Sequence, residues 1–165
     1  MKKCLLIMLI LALAIALAAC GGTDNATEGQ ETDTGAGEEA AGLNIAIVTS
    51  PSGVDDGSFN QDCYNGILNF IANSSPDSVV TPVQETTGDT NAALQAVDDV
   101  VADYDVIVTP GFQFSGIGAI AADNPDKLFI LIDAYPSDAS GAEVTLDNVY
   151  AMQFAEQESG FFAGI

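Results

Sequence analysis

The sequence contains no histidine and no tryptophan, and only 3 of its 165 residues are lysine or arginine, against 24 aspartates and glutamates. Without histidine the chain lacks the usual general base and the commonest metal ligand, which counts against an enzyme. The formal net charge of -21 repels phosphate backbones, so the composition excludes nucleic acid as a partner. Because no acidic stretch has the spacing of a calcium loop either, we expect no catalytic residue, no metal and no cofactor.

The longest apolar run lies at the N-terminus and is too short to span a bilayer. Lys2 and Lys3 precede apolar residues 5–16, and a small-residue segment then ends in Cys20. This order is typical of a secretory signal peptide, and the cysteine at its cleavage site resembles a bacterial lipobox. We expect residues 1–19 to be removed and Cys20 to be lipidated, which would hold the protein on the extracytoplasmic face of a cell membrane. An ordinary secretory signal is the alternative.

The cysteines do not form a disulfide framework. Cys4 lies in the predicted signal peptide and Cys20 is expected to carry lipid, which leaves Cys63 as the one thiol of the mature domain. Cys63 shares a predicted helical face with Ile67, so we predict a buried small side chain; a reactive thiol is the alternative.

Composition divides the rest of the chain into a tether and a domain. Residues 20–42 are mostly Gly, Ala, Thr and acidic residues after the cysteine, and we predict a disordered acidic tether. The patterns beyond it predict strands at 44–49, 79–83, 106–108, 128–132 and 149–154, and helices at 59–73, 91–104, 115–123 and 156–165. Continuous apolar strands that alternate with amphipathic helices predict an α/β domain at 43–165, with a parallel sheet and helices on both faces.

The segment 53–61 occupies the crossover from the first strand to the first helix. Ser58, with Gln61 three residues later, has the form of a capping box that starts a helix at Phe59. Such a start would direct backbone N–H groups beyond the end of the strand, where ligands of open α/β sheets bind.

Several polar and aromatic residues follow the predicted strands at this edge, and they are the groups that a small polar ligand with an aromatic part requires. Phe59 is expected to be exposed as a stacking surface, although it would alternatively pack under a loop. Asp133 ends a buried strand, where its carboxylate needs a donor from a ligand or from the next loop. The candidate ligand-binding residues are Ser50, Asp56, Phe59, Asn60, Gly111, Phe112 and Asp133.

The run Asp56-Gly57-Ser58-Phe59-Asn60 resembles the Asp-x-Ser-Phe-Asn segment of the basic membrane protein family, the nucleoside-binding lipoproteins of ABC importers. Residues 111–112 with 124–133, and residues 148–164, resemble two further segments of that family. The resemblance implies a periplasmic-binding-protein-like lobe of type I, ABC permease subunits as partners and no catalytic step. It also implies that Phe59 stacks on the base, while Asn60 and neighbouring aspartates bind base and ribose.

The sequence departs from the family at two points. Ser50 stands where nucleoside-binding members commonly carry an acidic residue, and the sequence ends at Ile165, so that a second lobe is expected to be absent. Two other functions stay open at this stage. One is a surface receptor domain that signals without import, and the other is a flavodoxin-like enzyme module that binds phosphate at the helix start near Ser58.

Overall fold

The computed structural model describes residues 41–164, which form one five-stranded parallel sheet of order β2-β1-β3-β4-β5 with helices on both faces. The strands are β1 Asn44–Thr49, β2 Val79–Gln84, β3 Val106–Pro110, β4 Leu128–Ile132 and β5 Val149–Met152. The helices are α1 Phe59–Ser74, α2 Thr90–Val100, α3 Ile117–Asp123 and α4 Glu156–Ala163. The predicted α/β class is confirmed. The predicted signal peptide, Cys20 and most of the predicted tether lie outside the described residues.

The strands carry apolar side chains on both faces, because each face of a parallel sheet is covered by helices. In β1, Ala46 and Val48 belong to a core that is completed by residues of α2 and α3. Ile45 and Ile47 point the other way, into a second core that is completed by α1. Among residues 41–164, no helix is both long and apolar enough to cross a bilayer.

The chain order places a topological switch between β1 and β3. From β1 the chain passes through α1 to β2 on one side, and from β3 it passes through α3 to β4 on the other side. The connections therefore leave β1 and β3 in opposite directions, which opens a crevice at their carboxyl ends.

Several element ends differ from the predictions, among them the following three. The helix predicted at 91–104 ends at Val100, and a 3-10 turn continues it to Asp103. The helix predicted from residue 115 begins at Ile117, after another 3-10 turn at Phe112–Phe114. The strand predicted at 149–154 ends at Met152, because β4 ends opposite it and Asp133 leaves the extended conformation with φ 70°.

Two helical glycines provide a test of this packing. A Cβ atom on Gly118 in α3 would lie 2.5 Å from the Ser137 carbonyl oxygen, whereas a Cβ on Gly66 in α1 would meet nothing within 4 Å. We expect Gly118→Ala to lower the free energy of unfolding by about 1–3 kcal/mol, because the backbone must move. Gly66→Ala should raise it by about 0.5–1 kcal/mol, since alanine is the better helix former. Urea unfolding of both variants measures the two changes in the free energy of unfolding. Changes of the same sign and size would contradict the close packing of α3 at Gly118.

Candidate functional site

A cavity of about 420 Å³ lies at the carboxyl edge of the sheet, over the switch between β1 and β3. All of the residues predicted as ligand-binding line it, namely Ser50, Asp56, Phe59, Asn60, Gly111, Phe112 and Asp133. They reach it from the ends of β1, β3 and β4 and from the start of α1. The structure thus brings the whole predicted set together, whereas their contact with a ligand stays a prediction.

The start of α1 is capped by Asp56 and not by Ser58, so the predicted capping box is wrong. The Ser58 and Gln61 N–H groups donate to Asp56 Oδ1 at 2.9 and 3.1 Å, and the Asn60 N–H donates to Oδ2 at 3.3 Å. The Ser58 side chain makes no capping hydrogen bond, and Gln61 Oε1 accepts from the Gly57 N–H. The N–H groups that the sequence suggested for a ligand are therefore already occupied.

These hydrogen bonds also set the charge of Asp56. Burial acts to raise the pKa of this carboxyl, but donation from the Ser58, Gln61 and Asn60 N–H groups outweighs it and holds the pKa below its ordinary value. Asp56 therefore carries a negative charge at neutral pH. A fixed anion at a helix N-terminus satisfies the helix dipole from within the chain.

Asn60 is buried, with 4% of its surface exposed, and its amide is held against Ser50. Asn60 Nδ2 donates to Ser50 Oγ at 3.1 Å, which joins the end of β1 to the first turn of α1. Ser50 therefore has a partner within the site, although it stands where an acidic residue was expected from the resemblance. The contact fixes the orientation of the Asn60 amide beside the cavity.

Phe59 lines the cavity, but it is half-buried and not the freely exposed ring that its position suggested. It packs against the core residues between the sheet and α1, on the same helical stripe as Cys63 and Ile67. Its ring also meets Phe154 edge to face, with centroids 6.4 Å apart and planes at 74°. These contacts fix the ring at the cavity wall, and a stacking role of Phe59 stays a prediction.

The loop after β3 supplies a second aromatic ring on a strained turn. Gly111 has φ 112°, a conformation that favours glycine, and its N–H donates to the Ile132 carbonyl oxygen at 2.8 Å. Because that N–H is occupied, Gly111 shapes the wall and does not offer a donor. Phe112 follows with 75% of its surface exposed beside the cavity.

Asp133 is the one non-glycine residue with positive φ in the described part of the chain. Its N–H donates to the Met152 carbonyl oxygen at 2.7 Å, which fixes the backbone at the end of β4. Within residues 41–164, no protein hydrogen bond to its carboxylate is present, although the residue is half-buried. Strained backbone of this kind clusters at binding sites.

Two further carboxylates line the cavity, Glu85 and Asp89, although neither belongs to the predicted ligand-binding set. Glu85 directly follows β2 and is 6% exposed, and it accepts from Thr87 Oγ1 at 2.6 Å and the Gly88 N–H at 2.7 Å. Donation by the Thr87 hydroxyl is the main cause that lowers the pKa of Glu85, and together with the backbone donors it outweighs burial, which raises the pKa. The rule that found Asp133, a carboxylate at the end of a parallel strand, would also have found Glu85.

Cys63 lies away from the cavity on the core face of α1 and is half-buried. Burial raises the pKa of the Cys63 thiol, and the charges of Asp62 and Asp56 act in the same direction. Both causes favour the neutral thiol over the nucleophilic thiolate. The geometry supports the predicted packing role.

A comparison with protein-family models covers nearly the whole described domain. The family model of PnrA-like ABC transporter substrate-binding proteins, named Bmp, matches residues 44–165. The chain belongs to this family. The resemblance in residues 56–60, 111–133 and 148–164 is thereby confirmed, and the Bmp family is described by substrate binding for transport and not by catalysis.

Relatives with curated names are consistent with this membership. The chain is 28% identical over 138 residues to the "ABC transporter nucleoside-binding protein BmpA" of Lactococcus lactis subsp. cremoris, covering 78% of this chain and 35% of the relative. It is 23% identical to the "CD4+ T-cell-stimulating antigen" of Listeria innocua, covering 100% of this chain and 44% of the relative. The Bmp chain thus spans less than half the length of these relatives.

Solved structures support the fold of the Bmp chain. An ABC transporter solute-binding protein from Aeropyrum pernix K1 superposes with a TM-score of 0.62 at 22% identity, covering 74% of this chain and 31% of that one. A crystallised fragment from Peptoclostridium difficile 630 superposes with a TM-score of 0.54 at 20% identity, covering 73% of this chain and 93% of the fragment. A piece of about this size therefore takes up the same fold.

Proposed function

We propose that the cavity binds a nucleoside and that the chain serves as the substrate-recognition part of an ABC importer. Membership of the Bmp family and the nucleoside-binding protein of Lactococcus among the relatives support the ligand class. The proposal includes lipid attachment at Cys20, which places the site on the extracytoplasmic face of the membrane beside the permease. Purine nucleosides are the first ligands to test, because a purine nucleoside receptor typifies the family that the sequence resembles.

The Asp133 carboxylate is the observation that carries this proposal. It lines the cavity from the end of β4, and no hydrogen bond from residues 41–164 satisfies it, whereas Asp56 and Glu85 are each held by donors of the chain itself. Neither oxygen of this carboxylate is a buried atom, so a ligand in the cavity can reach both. Two adjacent hydroxyl groups of a ribose are donors of the right kind, since they form charge-assisted hydrogen bonds with a carboxylate.

The aromatic walls suit the other half of a nucleoside. Phe59 and Phe112 line the same cavity from α1 and from the loop after β3. A planar base is recognised by stacking on such rings, and the buried Asn60 amide lies in the same wall to read the base edge. A phosphate-binding enzyme module, in contrast, needs free N–H groups at the start of α1, and Asp56 occupies them.

Substitution of Asp133 tests the proposal. Asp133→Asn keeps the side-chain shape and tolerates positive φ, but it removes the charge that would bind the ribose hydroxyls. We expect the association constant for adenosine to fall at least about tenfold, as for the loss of a charge-assisted hydrogen bond. The preference for adenosine over 2′,3′-dideoxyadenosine should shrink with it. Ligand-observed NMR of the purified chain measures both quantities.

The matched control is Asp126→Asn, which makes the same substitution at the opposite end of β4, where Asp126 is exposed. This variant should bind adenosine as the unmodified chain does. Equal losses in the two variants, or an unchanged dideoxy preference in Asp133→Asn, would contradict a role of Asp133 in ribose recognition.

A further inference from the structure

The cavity is lined by four carboxylates, those of Asp56, Glu85, Asp89 and Asp133, and by no lysine or arginine. Lys127 is the one basic side chain of residues 41–164, and it lies at the amino end of β4, at the opposite edge of the sheet. Its Nζ atom donates to the Ala102 carbonyl oxygen at 3.3 Å. A ligand in the cavity therefore meets negative charge without a compensating cation.

Two helices begin at the cavity, and the chain's own carboxylates cap both of them. Asp56 accepts from the first N–H groups of α1, as described above. Asp89 Oδ1 accepts from the Asn91 and Ala92 N–H groups of α2 at 2.9 and 3.1 Å. Proteins usually bind a phosphate at such N–H groups. Here each of these positions already holds an anion that belongs to the protein.

We propose that Asp56 and Asp89 are specificity residues that exclude phosphorylated solutes from the cavity. This inference rests on the proposed function and restricts it, because nucleosides are admitted while their phosphates are rejected. A phosphate near either helix start would have to displace a carboxylate cap or lie beside it, and like charges in a partly enclosed site repel strongly. A nucleoside carries no charge and avoids that penalty.

The test compares adenosine with adenosine 5′-monophosphate on the purified chain at low salt. We expect the monophosphate to bind at least about tenfold more weakly, and we expect this ratio to shrink at 0.5 M salt because screening weakens charge repulsion. In the double variant Asp56→Asn, Asp89→Asn, an amide oxygen still accepts at each helix start, since asparagine is a good N-cap residue, and only the Asn60 N–H loses its acceptor. The ratio should then fall to about threefold or less.

The control is the double variant Asp98→Asn, Asp99→Asn, which removes the same charge from exposed positions on α2 away from the cavity. It should keep the unmodified ratio. Equal affinities for the two ligands in the unmodified chain, or an unchanged ratio in Asp56→Asn, Asp89→Asn, would overturn the inference while leaving nucleoside binding intact.

If adenosine does not bind at all, the proposed function is wrong, and inorganic phosphate alone then tests the exclusion. We expect the phosphorus NMR line of phosphate to stay sharp with the unmodified chain at low salt, because the cavity repels it. Broadening of that line with the unmodified chain would overturn the inference.

Discussion

Replacing Cys20 with alanine should abolish fatty-acid labelling of the chain completely, because the proposed lipid attachment is to the Cys20 sulfur atom at the predicted cleavage site. The expected result is loss of label and a shift of the protein from the detergent phase to the aqueous phase. Metabolic labelling with a radioactive fatty acid, followed by phase partitioning, measures both changes. The label is lost because the substitution removes the only proposed attachment atom, and not because the protein becomes less stable.

Two other cysteines provide the controls for this experiment. Cys4 lies in the predicted signal peptide, and Cys63 is half-buried on the core face of α1, so Cys4→Ala and Cys63→Ala should both retain the label. Label that persists on Cys20→Ala would show that the lipobox interpretation is wrong.

Replacing Phe59 with leucine should weaken nucleoside binding much more than it weakens the fold. Leucine retains much of the packing against the core beside α1 but removes the aromatic face at the cavity. Loss of base stacking costs about 1–3 kcal/mol, which corresponds to a 5- to 150-fold fall in affinity. The free energy of unfolding should fall by less than about 1.5 kcal/mol. The loss of affinity is measured as a smaller initial slope of the NMR chemical-shift change against adenosine concentration. The loss of stability is measured by urea unfolding.

Phe70 is the matched control for Phe59, because it lies on the same helix, is 43% exposed and does not line the cavity. Phe70→Leu should leave the initial slope of the chemical-shift change against adenosine concentration unchanged. If Phe59→Leu lowered stability and left the slope unchanged, Phe59 would belong to the core alone and the stacking role would be lost.

The elements with strong periodicity could be predicted from the sequence. The strands β1 and β4 have the predicted bounds, because their continuous apolar runs are flanked by clear turn residues. The start of α1 at Phe59 was also predicted. Its cap was assigned wrongly, since Ser58 and Asp56 both precede the helix and only three-dimensional geometry shows which side chain reaches the N–H groups.

The candidate site was predictable as a set but not in its details. The rule that strand ends converge brought together residues from 50 to 133, and the structure places them around one cavity. The sequence could not show that Phe59 leans into the core, because this depends on the tilt of α1 against the sheet. Nor could it show that Asp133 has positive φ, because the backbone there is fixed by a hydrogen bond to the last residue of β5.

The exposure of the site also sets the expected affinity. Phe112 is 75% exposed and Phe154 is 54% exposed, so a bound nucleoside would keep one side in water. The chain also spans only 35% and 44% of the relatives named above. If a complete receptor binds at about -8 kcal/mol, half of those contacts would give a dissociation constant near millimolar.

The central claim is that this cavity, and no other surface, binds a nucleoside. Titration of the isotopically labelled chain with adenosine, followed by amide NMR shifts, tests it most directly. We predict saturable shifts at Ser50, Asn60, Gly111 and Asp133, with a dissociation constant weaker than about 100 μM. Shifts that stay away from these residues, or no shift at about 10 mM adenosine, would contradict the account.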